Sequence, residues 1–181
     1  HVLWYPQRPL CTTHIAEVKG VHDWPMGQNL MIAIAPYGGM SQEDAIVINK
    51  ASRERGLQRI TVYRSHRDTA RKKTAGESED FCHPMADNDV PVTGIRGCAN
   101  YDKIGLDGLP EVGSRVGAGD VIIGKVLTGT AVGADGKLQR VRRDKSEQLH
   151  CDPSERHIVD TVLITDNKDG QRFVRVRTRT T

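Results

Sequence analysis

The chain predicts a mainly β fold with short helices (α+β), and three features carry that prediction. Short β-branched runs are separated by turn residues, as at 30–35 and 45–49. The whole chain has 18 glycines, and those within residues 105–129 punctuate short apolar pieces, which suits small, tightly turned β structure. Near the C-terminal end, two alternating segments flank Asp-Asn-Lys-Asp-Gly at 166–170, the signature of a hairpin.

Taken in order, Pro6 and Pro9 hold residues 4–13 in an extended path, a connector or edge strand. Residues 24–29, WPMGQN, are a turn-rich approach to LMIAIA at 30–35, an apolar run of the length of a buried strand. Pro36, Gly38 and Gly39 end it. A second β-branched run follows at 45–49, then a short helix over 50–55, with Asn49 to cap it and Gly56 to stop it. Residues 60–64 alternate as a strand. Gln42, Glu43 and Asp44 thus fall in a loop between two buried strands, a place where a rigid scaffold presents chemistry.

Residues 65–89 turn charged, a basic stretch preceding an acidic one, and read as a surface excursion. Residues 130–156, with Arg140, Arg142, Arg143 and Lys145, read as a second polar loop. Strands are predicted over 158–165 and 172–180.

Composition bounds function only loosely. The 26 basic residues against 23 acidic ones leave +3, too balanced to mark a nucleic-acid binder without local clustering. No apolar run approaches the roughly 20 residues of a membrane span, and the first residues lack the pattern of a signal peptide, so a soluble intracellular chain with no membrane partner is expected. The missing initiator methionine and a last residue inside a strand suggest a cut piece of a longer protein. Cys11, Cys82, Cys98 and Cys151 are irregularly spaced, which favours reduced thiols over disulfides. Without a C-x-x-C pair, no structural zinc is expected. The histidines form no H-E-x-x-H or triad pattern, so a hydrolase has no foothold.

Two constellations could carry chemistry. In the last strand Phe173, Arg175, Arg177 and Arg179 share one face while Val174, Val176 and Thr178 share the other. The guanidinium groups, about 7 Å apart along the strand, suit phosphate oxygens. A charged edge strand protected against aggregation is the competing explanation. Glu43-Asp44 is a common dipeptide, usually just hydrated, yet Mg²⁺ needs only one or two carboxylates beside substrate phosphates and water. Neighbouring side chains of an extended chain face opposite ways, so one of the two would approach an ion. Arg53, Arg55, Arg59 and Arg64 form a basic stretch able to follow phosphates or simply to face solvent.

Several motifs, in order, carry a resemblance: WYPQRPL at 4–10, PMGQN at 25–29, YGGMSQEDAIVINK at 37–50 and ERGL at 54–57, followed by YDK at 101–103, DGL at 107–109, GDVIIGK at 119–125, IVD at 158–160 and RFVRVR at 172–177. The chain resembles the second-largest (beta-type) subunit of multisubunit DNA-directed RNA polymerases over almost its whole length. The QED form at 42–44 and the 119–125 motif look most like the second eukaryotic enzyme. Met40, Pro36 and both polar loops depart from the family pattern.

The resemblance implies a layout: residues 1–58 in a hybrid-binding region, 59–168 in an inserted β-rich wall or flap, and 169–181 returning to hybrid binding. It implies a nuclear nucleotidyltransferase complex with the largest and smaller polymerase subunits, a DNA template, nascent RNA and NTP as partners. Asp44, with Glu43 beside it, takes the place of the residue that helps hold the second Mg²⁺ travelling with the NTP phosphates. Arg175 stands where the family usually has lysine, near the nucleotide and the RNA end; Arg177, Arg179, Gln42 and Arg55 are the further nucleic-acid-side candidates. The principal catalytic aspartates belong to the largest subunit, so the fragment alone is expected to be inactive. A lysine and a glycine-rich basic motif are expected beyond Thr181. A function of another class stays open: the glycine-punctuated stretch 112–129 is similar to β-barrel carriers of lipoyl or biotinyl groups.

Overall fold

The computed structural model describes residues 1–41, 43–72, 76–86, 90–132 and 137–181. The described chain is mainly strands with two short α-helices. It divides into two compact units, His1–Val62 with Thr181, and Tyr63–Thr180.

In the first unit β1 (Val2–Leu3) pairs antiparallel with the start of β2 (Ile60–Thr69), Val2 opposite Thr61. Trp4 anchors this edge: its indole Nε1 donates to Thr61 Oγ1 at 2.8 Å, and the Arg59 guanidinium lies 5.1 Å from its ring centre. Helix α1 (His14–Val18) starts at Thr13, whose hydroxyl accepts from Ala16 N. Helix α2 (Lys50–Glu54) forms as its signals predict, with the Asn49 carboxamide accepting from Ser52 N at 3.1 Å. Gly56 ends it at φ +106°, where a Cβ would also come within 2.7 Å of the Tyr5 ring. Gln28 and Asn29 stitch the unit together. Gln28 donates to Tyr5 O and accepts from Gln58 N, while Asn29 donates to Arg8 O and, through its backbone, to the Gln7 side chain.

The two predicted buried strands at 30–35 and 45–49 are corrected. Neither joins a ladder among the described residues. Their side chains face solvent, Met31 and Ile34 fully and Ile46 at 89% exposure. An apolar run becomes a buried strand only when another layer covers it, and this unit supplies none.

The second unit holds the core. Its first sheet has the order β2-β11-β10-β5, from β5 (Arg115–Val116), β10 (His157–Asp166) and β11 (Arg172–Thr180). The predicted hairpin is present, with Asp166 opposite Arg172 and residues 167–171 as its loop. A second sheet has the order β3-β7-β8-β4, built from β3 (Ser78–Phe81), β4 (Val92–Thr93), β7 (Lys125–Val132) and β8 (Leu138–Asp144); β6 (Val121–Ile123) pairs with β9 (Glu147–Gln148). Val116, Ile122, Ile123, Leu149, Val159, Val174 and Val176 pack together as the main cluster.

Here the two expected polar loops are corrected as well. Residues 65–69 continue β2, residues 78–81 form β3, and within 130–156 residues 130–132, 138–144 and 147–148 belong to β7, β8 and β9. Their polarity hides the strands because backbone ladders form regardless of side-chain polarity, and several charges are paired inside. Lys125, 8% exposed, places Nζ 2.6 Å from Asp68 and 3.2 Å from Glu79, and Arg142 is buried too.

Candidate functional site

The sequence-derived site residues fall in both compact units. Glu43, Asp44 and Arg55 belong to the first, and Arg175, Arg177 and Arg179 to the second. Gln42 lies outside the described residues.

In the first unit, a turn closed by Met40 N donating to Tyr37 O at 3.0 Å carries Gly38 and Gly39 at φ +56° and +71°. Ser41 reinforces it, its hydroxyl accepting from Tyr37 N at 2.9 Å. This turn delivers the chain to Glu43 and Asp44, both in a further turn and both exposed. Neither carboxylate makes an ion pair or hydrogen bond among the described residues, so both keep their oxygen lone pairs available. Arg55 caps α2 through its backbone and leaves its side chain exposed.

In the second unit the alternation predicted for β11 is present: Val174, Val176 and Thr178 are buried, while Phe173, Arg175 and Arg177 are half-exposed and Arg179 exposed. The three arginines are chemically unequal. Arg177 donates through Nε to Asp160 Oδ2 at 2.7 Å, places Nη2 at 2.6 Å from the same oxygen, and lies 5.4 Å from the Tyr63 ring centre. Arg179 reaches the other Asp160 oxygen only at 3.9 Å. Arg175, opposite Leu163 in the ladder, has no side-chain partner among the described residues. Asp160 therefore fixes Arg177 in place and leaves Arg175 as the guanidinium with its full fork of donors unspent. The sequence shows the arginine row but not the acid across the strand pair that divides it.

A different cluster escaped sequence reasoning. Cys151, Glu155 and His157 bring one ligand atom each within 4.8 Å of one another. Their C-x-x-x-E-x-H spacing is visible in the chain, but it resembles no pair that marks a site without the fold to converge it. Burial, and then the neighbouring Glu155 carboxylate, push the Cys151 thiol pKa up. Within 112–129 the lysine is Lys125, buried between two carboxylates, a setting opposite to the exposed lysine that a lipoyl or biotinyl carrier needs.

Comparison with known proteins adds what the geometry does not carry. A family model described as RNA polymerase Rpb2, domain 6, matches residues 1–181. The chain is 42% identical over 180 residues to DNA-directed RNA polymerase II subunit 2 of Arabidopsis thaliana, covering 99% of this chain and 15% of the relative. It is 38% identical to the RPB2 subunit of Schizosaccharomyces pombe, covering 100% of this chain and 15% of the relative, and 34% identical to subunit Rpo2 of Sulfolobus acidocaldarius, covering 99% and 16%. The chain thus spans about 15% of the length of the curated eukaryotic relatives it matches. From one end to the other, this chain belongs to the RNA polymerase Rpb2, domain 6, family.

Proposed function

We propose that the chain works as part of the second-largest subunit of a DNA-directed RNA polymerase, where it helps to form the active centre, place the incoming NTP and hold the RNA–DNA hybrid. The observation that carries this reading is the family match along residues 1–181. The matches to RNA polymerase II subunits favour a nuclear enzyme, with the largest and smaller subunits, DNA, nascent RNA and NTP as partners. The regional layout of 1–58, 59–168 and 169–181 goes with this proposal.

Asp44 and Glu43 fit a Mg²⁺ ion that accompanies NTP phosphates. They are exposed carboxylates without ion-pair or hydrogen-bond partners among the described residues, and a hard cation that keeps waters and phosphate ligands asks for no more than one or two such oxygens. When bound, the metal neutralises phosphate charge during nucleotidyl transfer. This chain's own residues would position: Asp44 orients the ion's protein side, Glu43 adds negative potential, and Arg175 offers a bidentate fork to phosphate. Arg177, held by Asp160, contributes a fixed positive charge, and Arg179, Arg55 and Gln42 extend the nucleic-acid side. Asp44→Ala in the assembled polymerase is expected to slow nucleotide addition with assembly intact. Loss of assembly, or an unchanged rate at limiting Mg²⁺, would overturn the assignment.

A further inference from the structure

His157 starts β10 with its ring wholly buried, yet both ring nitrogens meet polar atoms. Nε2 lies 3.1 Å from Glu155 Oε2, and Nδ1 lies 3.4 Å from Thr178 Oγ1 on β11. Cys151 brings a thiol to the same point, its side chain packed against the main apolar cluster. We propose that Cys151, Glu155 and His157 form a binding site for a zinc-class divalent cation, with a fourth position open to water.

The donor set is that of zinc: one thiolate, one imidazole and one carboxylate, each a recognised ligand type for this borderline metal. The spacing also fits. Tetrahedral ligands at about 2.0 Å from zinc stand about 3.3 Å apart, close to the 3.1 Å between His157 and Glu155. The separation limit of 4.8 Å asks for a small side-chain contraction around the ion. With Nε2 as the ligand, Nδ1 keeps its proton and donates to Thr178 Oγ1. That outer hydrogen bond is the kind that fixes the tautomer and ring orientation of metal-binding histidines. Glu155 and Cys151 are half-buried, which leaves the open position on the solvent side. The rival partner is Arg64, whose guanidinium lies 3.9 Å from the same Glu155 oxygen and competes with a cation for it. The site would clamp residues 151–157 against the hairpin, independently of any role at Asp44 or Arg175.

The test uses the assembled polymerase carrying the full-length subunit. Alkylation of Cys151 by iodoacetamide, mapped by mass spectrometry, is followed with ZnCl₂ or with chelator. The exposed Cys11 and Cys98 serve as internal controls. Zinc is expected to slow alkylation of Cys151 by about tenfold or more, since the metal-bound thiolate is no longer free to react, while Cys11 and Cys98 respond little. Glu155→Gln should abolish that selective protection, and Arg64→Ala should bring it on at lower zinc. A cobalt(II) titration reads the same site without thiol chemistry, as a thiolate charge-transfer absorbance present in the wild type and lost in Cys151→Ser. Equal protection of all three cysteines, or no difference between wild type and Cys151→Ser in the cobalt spectrum, would overturn the proposal.

Discussion

At Arg177 one carboxylate decides what a whole row of charges can do. Asp160 binds Arg177 closely and Arg179 only at a distance, and leaves Arg175 without a side-chain partner among the described residues. In the assembled polymerase Arg175→Ala should weaken binding to an RNA–DNA hybrid and flatten its salt dependence by about one phosphate contact. Arg175→Lys should restore the salt dependence but only part of the affinity, because the bidentate fork is lost. Tyr101 gives a second residue-scale expectation. Burial, and next a hydrogen bond of 2.5 Å to Asp144, raise its pKa from 10.0 to about 12. The folded state therefore holds the proton more tightly than the unfolded one. That contribution is complete below pH 10 and is lost as pH rises through 12, with about 3 kcal/mol at stake at 1.36 kcal/mol per unit. Denaturation at increasing alkaline pH checks it: Tyr101→Phe should lose less stability over that window than the wild type. Lys125→Met leaves Asp68 and Glu79 facing each other half-buried and should destabilise the second unit by about 3 kcal/mol, measured by chemical denaturation.

Among the elements, α2 and the C-terminal hairpin formed where their signals placed them, because each is decided locally. Asn49 supplies a side-chain acceptor for an orphan helix N–H, and Gly56 supplies a left-handed residue; both choices are written within one turn of the helix. Asn49→Ala should lower the stability of the first unit by about 1 kcal/mol, with amide exchange in α2 as the local readout. The β10–β11 hairpin was legible because period-2 alternation and a turn sequence agree. The polar strand β8 was not, since its side chains are mostly exposed and its ladders to β7 and β4 are made by backbone groups that side-chain polarity does not record. The runs at 30–35 and 45–49 erred in the opposite direction. Their residue types are those of strands, but a ladder and a cover come from neighbours, and among the described residues of this unit neither run has them.

At the scale of the whole molecule, those runs leave seven large apolar side chains exposed: Leu30, Met31, Ile32, Ile34, Ile46, Val47 and Ile48. At about 2 kcal/mol for each buried side chain, a covering surface would gain on the order of 10 kcal/mol. That is comparable to the stability of an ordinary domain. The chain expressed alone should bind a hydrophobic dye and self-associate, and Ile32→Asp with Ile46→Asp should reduce both effects; in the assembled polymerase the same pair should impair assembly. The sequence by itself determined the β-rich class, the capped helix, the facing of the arginine strand and the family, because each rests on local pattern or on an ordered series of motifs. Only the tertiary structure decided which arginine stays unpaired, which apolar runs lack a cover, and that Cys151, Glu155 and His157 converge. Those outcomes depend on what lies across a strand pair or a layer, and spacing along a chain does not record distances across one.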